Sequence, residues 1–447
     1  MAFPKQPLAC IVGVVTLAGL LVGGAWAYPR VAWLGEVPSR LEIAVETVVG
    51  TLAGDRLYHT VPPGVYQRGV GPVPSGVNEG GSPVAVGATD IGAGLERLVS
   101  QQTEWLLACR TPGGTFAVAP ASDLIIPYFA NQAAWSLLPE YPGEVRAHLD
   151  WYLSHLNRPD RWGLVGTAYD YRIEGDREVP TGSYDSADAY AATFLTAVAR
   201  YWQVTGDTRF VLDHRSELDL VAGVIVALQD ADGLAWARPG HWVKYLMDNA
   251  ENYQGLSDYA WLLARLGDAE SAAYWAARAE AVRQGVRQVM YNPRRGEYYW
   301  AIKMSGTRRL PNWRQWYPDA VAQLFPVLCG VEAPDSRISR EIYRRFARFY
   351  PGWAAVPHPG RSPWGVITPV AVTMGDTGDL QLSLSVAAEL PSRAAVWHAG
   401  EAACLLSAAR QWLSRLFPGG EGSPSVPAPQ PEALPHVPDT AAEGGGE

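Results

Sequence analysis

The sequence predicts an all-α fold in which six helical hairpins close into a double ring, with short β-hairpins in the loops at one mouth. Two observations predict it. Amphipathic segments carrying a single apolar stripe alternate, six times, with segments that are apolar around most of their circumference. The loops that lead into the second kind concentrate Gly turns, aromatic residues and acids. An inner helix must be apolar both inward and outward, whereas an outer helix needs only one apolar stripe, so this alternation suits two concentric layers.

With 447 residues, 48% hydrophobic and 18% charged, the chain can bury a large core. Eighteen Trp and 21 Tyr against nine Phe favour rings with a polar handle, the kind that stack on sugars. Five acids of the last thirty residues contribute to a net charge of −9, and no basic stripe is present, which argues against a nucleic-acid partner.

Lys5 precedes an apolar run, Ile11 to Trp26, closed by Ala25-Trp26-Ala27 with small residues where a signal peptidase reads. Residues 1–27 are therefore expected to be a signal peptide, or an uncleaved N-terminal anchor, and the protein to be secreted or held in the cell envelope. A membrane contact is expected only if that segment stays in place. Residues 28–90, rich in Gly, Pro and Val without a helical period, read as an irregular extension. Residues 418–447 are too poor in apolar residues to fold and read as a disordered Pro/Gly/Glu tail.

Between them, 91–417 reads as one domain. The outer helices are expected at Leu95 to Cys109, Val145 to Leu156, Glu217 to Leu228, Ala269 to Met290, Ser336 to Phe349 and Leu380 to Leu390. In the fourth, Trp275, Ala279, Val282, Val286 and Val289 make the buried stripe while Arg278, Arg283 and Arg287 face out. The inner helices are expected at Asp123 to Leu138, Asp185 to Gln203, Asp248 to Leu266, Asp319 to Gly330, Pro363 to Met374 and Ala395 to Leu416. Cys109, Cys329 and Cys404 are too widely spaced for a metal or disulfide pattern and read as small buried hydrophobes.

The stretches "YFANQAAW", "GTAYDY", "YDSADAYAATFL", "DNAENYQGL" and "WYPDAVAQLFPVL", set in this order of helices, resemble the six-hairpin glycosidase superfamily. The resemblance implies an (α/α)6 toroid and a catalytic-type domain acting on carbohydrate, and it covers roughly 91–417. No individual hydrolase family is identified by it.

Acids fall at the starts of the expected inner helices: Asp123, Asp185 with Asp188, Asp248 with Glu251, and Asp319. Glycoside hydrolysis needs one protonated and one ionised carboxyl, and an apolar cavity and a helix N-terminus push carboxyls in these opposite directions. Asp185, Asp188, Asp248 and Glu251 are the expected catalytic acids, paired between helices. Asp123 and Asp319 are expected to hold substrate, beside rings from the same loops: Tyr169, Tyr184, Trp236, Trp242, Tyr253, Trp300, Trp313, Trp316 and Trp364. The same acids would also cap helices, and Asp248 with Glu251 has the spacing of a capping box. His241, His358 and His398 have no metal spacing, and no metal or cofactor is expected. Lys303, Arg308, Arg309 and Arg314 cluster before the fourth inner helix, either as a solvated face or to hold an acidic sugar.

The expected protein is thus a monomeric extracytoplasmic glycoside hydrolase acting on a poly- or oligosaccharide. Its rivals are a non-catalytic glycan-binding or envelope-assembly protein on the same scaffold, and a polysaccharide lyase.

Overall fold

A computed structural model describes residues 88–354, 363–389 and 397–416. The expected export segment, nearly all of the extension, the tail and His358 lie outside them.

In chain order the first half contains α1 (Ala88–Ala108), β1 (Leu124–Ile125), α2 (Pro127–Ser136), α3 (Pro142–Ser154), β2 (Tyr171–Glu174), β3 (Arg177–Pro180), α4 (Ala187–Thr205), α5 (Thr208–Asp213) and α6 (Arg215–Leu228). The second half contains β4 (Val243–Tyr245), α7 (Leu246–Arg265), α8 (Ala269–Gly285), β5 (Tyr291–Asn292), β6 (Glu297–Tyr298), β7 (Ala301–Lys303), β8 (Arg308–Arg309), α9 (Phe325–Leu328), α10 (Arg337–Phe349), α11 (Ile367–Met374), α12 (Thr377–Glu389) and α13 (Ala399–Leu416). The fold is mostly helical, as expected.

Helices α2, α4, α7, α9, α11 and α13 each pack against the next, and α13 packs back against α2. Helix α4 shows why: from Ala187 to Ala199 every residue is buried, so it needs neighbours on all sides. Outside them, α3 packs on α2 and α4, α6 on α4, α8 on α7, and α1 on α13. These outer helices bury one side only; in α10 it is Ile342, Tyr343 and Phe346, among arginines.

Proline and strand pairing move some boundaries. The first inner helix starts at Pro127 rather than Asp123, because Leu124 and Ile125 pair with Arg172 and Tyr171 of β2. The fourth is broken: an irregular turn, Trp316–Ala320, in which Tyr317 is extended (φ −126°, ψ 138°), precedes the four-residue α9, and Pro318 and Pro326 remove the N–H groups a continuous helix would use. The short α5, capped by Asp207 through the Phe210 N–H, was not expected.

Hairpins form at β2–β3, β5–β6 and β7–β8. The first turns on Gly175-Asp176 with Gly175 at φ 64°, a conformation that favours glycine. Two further pairings are not local. Strand β1 joins β2, and β4 joins β7, so loops that belong to different helix pairs are tied together.

Candidate active site

The first turns of α4 and α7 exchange hydrogen bonds. Ser186, extended just before α4, donates through Oγ to Asp248 Oδ2 at 2.9 Å, and Asn252 Nδ2 donates to Asp188 Oδ2 at 2.8 Å. The other Asp188 oxygen takes the Ala189 N–H at 2.9 Å. The Ser186 side chain therefore does not cap its own helix; the N–H groups of Ala187 and Asp188 reach instead to the Ala237 carbonyl, in the loop before β4. Asp185 lies outside the helix, so it does not share a helix face with Asp188 as the three-residue spacing suggested.

Burial pushes the Asp188 carboxyl well above the usual range, and the neighbouring Asp248 pushes it further, against the pull of the Asn252 and Ala189 bonds. Glu251 shows the same pattern one turn along α7. Burial raises it well above its ordinary value, the Tyr128 hydroxyl donating to Oε1 at 2.6 Å opposes this, and Asp248 adds to it. Tyr317 lies within reach of the cluster's field: burial first, then Asp185, Asp248 and Glu251, drive its phenol upward.

A third acid joins from the loop before β2. Tyr190, in the first turn of α4, donates to Asp170 Oδ1 at 2.9 Å and accepts the Asp185 N–H at 3.4 Å. Burial of the Asp170 carboxyl pushes its pKa to about 8, the Tyr190 bond opposing and the Asp185 charge adding. Asp170 and Asp185 both keep partial exposure, whereas Asp188 and Asp248 are closed off.

The structure thus brings together Asp185, Asp188, Asp248 and Glu251 and adds Asp170, Tyr128, Tyr190, Asn252 and Tyr317. Asp170 stands in "GTAYDY", a stretch already informative for the fold, but a search of helix starts passes over an acid in a loop. Glu401, in the first turn of α13, went unremarked as well; it is buried, and its carboxyl takes the N–H groups of Trp364 and Gly365.

Other expected residues lie apart. Asp123 precedes a strand instead of opening a helix, is exposed, and pairs with Arg172 at 2.9 Å. Asp319 is buried in the irregular turn before α9 and takes the Asn312 N–H at 2.6 Å, holding its own loop. Tyr169, Tyr184, Tyr253, Trp313, Trp316 and Trp364 are buried. The Tyr184 hydroxyl donates to Asp160, and the indoles of Trp313, Trp316 and Trp364 donate to Glu297, the Pro363 carbonyl and the Trp353 carbonyl. Trp236, Trp242 and Trp300 keep part of their surface open. Trp236 and Trp242 meet edge to face, and Trp300 stacks on Tyr245. Burial lowers both His241 and His398 to about 4, so neither carries charge at neutral pH.

Solved structures that align with this fold include glycosidases. One glycosidase variant aligns at a TM-score of 0.52 with 13% identity, covering 74% of this chain and 99% of its own. Another, in complex with glucose, aligns at 0.51 with 14% identity and the same coverage. A GH78 family rhamnosidase of Bacillus sp. GL1 is 16% identical at 0.46, covering 70% of this chain, and this chain spans only 34% of that enzyme. No protein-family model matches the chain, and no curated protein matches its sequence. At these identities the likeness speaks for the fold, which is glycosidase-like.

Proposed function

We propose that the chain is an extracytoplasmic glycoside hydrolase built on an (α/α)6 toroid, acting as a monomer on a poly- or oligosaccharide with no cofactor. The cyclic packing of α2, α4, α7, α9, α11 and α13 supports the toroid. The N-terminal apolar run supports export.

The observation that carries the reading is the meeting of acids in contrasting environments where α4 and α7 begin. Asp188 and Asp248, locked in cross-helix bonds, position the two first turns. Glu251, from α7, is the proton donor: burial keeps its carboxyl neutral, and the Tyr128 bond fixes its orientation. Asp185, from the segment before α4, is partly open and accepts the proton of the attacking water. The leaving oxygen takes the Glu251 proton as the glycosidic bond breaks, while Asp185 takes one proton from the water that adds to the sugar carbon. Asp170 and Tyr190 hold the Asp185 backbone in place.

Acid-to-amide variants test the roles. Glu251→Gln and Asp185→Asn should each lower kcat on a cleaved glycan by about 100-fold or more with little change in KM. Full activity in both would remove the assignment. Tight glycan binding by the unaltered chain without turnover would favour the non-catalytic reading, and unsaturated products the lyase.

A further inference from the structure

We propose that Arg238 reads a carboxylate on the substrate, so that the sugar bound beside the acid cluster is a uronic acid. This rests on the hydrolase reading and gives it a substrate class.

Segment 235–238 alternates. Ala235 and Ala237 are fully buried, while Trp236 and Arg238 keep partial exposure. Asn249, in the first turns of α7, bonds both the Ala235 N–H, at 2.7 Å, and its carbonyl, at 3.1 Å. The Ala237 carbonyl takes the Ala187 N–H at 2.8 Å. The segment is therefore pinned to both helix starts that carry the acids, and by the period of two it turns Trp236 and Arg238 to its opposite side.

The Arg238 guanidinium lies 5.5 Å from the centre of the Trp162 ring. Its Nε is sealed from solvent and has no hydrogen-bond acceptor among the described residues. Tyr184 feels the charge of both Arg238 and Asp160, which marks Asp160 as a nearby anion. The Asp160 carboxyl is already occupied by the Tyr184 and Thr167 hydroxyls and by the N–H groups of Trp162 and Leu164. Arg238 thus forms no ion pair among the described residues. That sets it apart from Arg172, Arg215, Arg287 and Arg345, each held by a carboxylate.

A guanidinium held over an indole loses little freedom on meeting a planar carboxylate through two parallel bonds. Half-buried rings at Trp162 and Trp236 border it and bring two more cations to the place, since the Arg161 guanidinium lies 4.4 Å from the centre of the Trp162 ring and the Lys244 ammonium 4.3 Å from that of Trp236. An anionic sugar next to several acids would be repelled if all were ionised. Burial holds Asp170, Asp188 and Glu251 toward the neutral form, which lessens that repulsion. Arg308, on the β7–β8 hairpin, lies over Tyr299 in the same way but is exposed, so water competes for its fork.

The test is binding of the whole protein to paired glycans: polygalacturonate, alginate and hyaluronan, each beside its carboxyl-reduced neutral counterpart, with carrageenan as a sulfated control. At least one uronan should bind, and either carboxyl reduction or Arg238→Gln should weaken it at least tenfold. Arg238→Lys should fall between, since it keeps the charge and loses the fork. A melting temperature equal to that of the unaltered protein shows that a variant is folded, and if Arg238→Gln does not fold, the carboxyl-reduced pairs decide. Binding confined to neutral glycans, or uronan binding untouched by Arg238→Gln, overturns the inference and leaves the hydrolase reading standing. Binding of carrageenan alone overturns it in favour of a sulfate. Neither binding nor cleavage of any glycan overturns both.

Discussion

At the scale of the residue, burial raises the carboxyls of Asp170, Asp188 and Glu251, and the bonds they accept from Tyr190, Asn252 and Tyr128 oppose that rise. Asp170 titrates near 8 in the folded chain and near 4 when unfolded. A raised carboxyl contributes stability that is fully present below the unfolded pKa and is lost as pH rises through the folded one. The melting temperature should therefore fall between about pH 4 and 8, and Asp170→Asn should flatten part of that fall; equal slopes in the two proteins would contradict it. Tyr128→Phe makes a second prediction. The Tyr128 hydroxyl favours the ionised form of Glu251, so its loss should move the alkaline limb of kcat to higher pH and lower kcat by roughly tenfold, near the 0.5–1.5 kcal/mol of one hydrogen bond. An unmoved limb would detach Glu251 from proton donation. Four of the clustered acids were legible in the sequence because they stand at helix starts. Asp170 was not, because only the fold brings a loop carboxyl to Tyr190. Nor could the spacing of Trp313, Trp316 and Trp364 tell a sugar-stacking ring from one whose indole N–H is bonded inside the protein.

At the scale of the element, the α4–α7 crossing sets the geometry of the site. Gly255 in α7 is pressed against the backbone of Ala192; an added Cβ would stand 2.4 Å from the Ala192 carbonyl oxygen. Gly255→Ala should force the helices apart and destabilise the fold by about 1–3 kcal/mol, and it should also lower activity, because Ser186–Asp248 and Asp188–Asn252 depend on the same approach. Gly223, within α6, has open space around it. Gly223→Ala should instead stabilise by about 0.5–1 kcal/mol through helix propensity. Urea denaturation of both variants checks the pair, and a common sign for the two would contradict the packing described. Helix periodicity made most elements legible. Their ends were less so, because Pro127, Pro318 and Pro326 and the β1–β2 pairing override it. The β4–β7 pairing, across two helices, leaves no local trace.

At the scale of the whole molecule, a helix such as α4, buried on every side from Ala187 to Ala199, can exist only where neighbours close around it, and its packing against α2, α3, α6 and α7 satisfies that need. Such an arrangement gathers the segments before α4 and α7, tied by β1–β2 and β4–β7, around one group of acids and half-buried rings. Fold alone does not give activity; the carboxyls and Arg238 are what point to a hydrolase for acidic glycans. The alternation of the two helix kinds was legible because it is a property of composition along the chain; an acidic sugar was legible only as one reading of Lys303, Arg308, Arg309 and Arg314, whereas the part proposed for Arg238 was not, because it comes from Trp162 and from the carboxylates that leave it unpaired among the described residues.

The most direct measurement is the release of reducing ends from a panel of plant, fungal and bacterial polysaccharides by the unaltered protein, read beside the absorbance of unsaturated sugars. The account predicts reducing ends without that absorbance, and their loss in Glu251→Gln and Asp185→Asn. Unsaturated products, or reducing ends released equally by both variants, would contradict it.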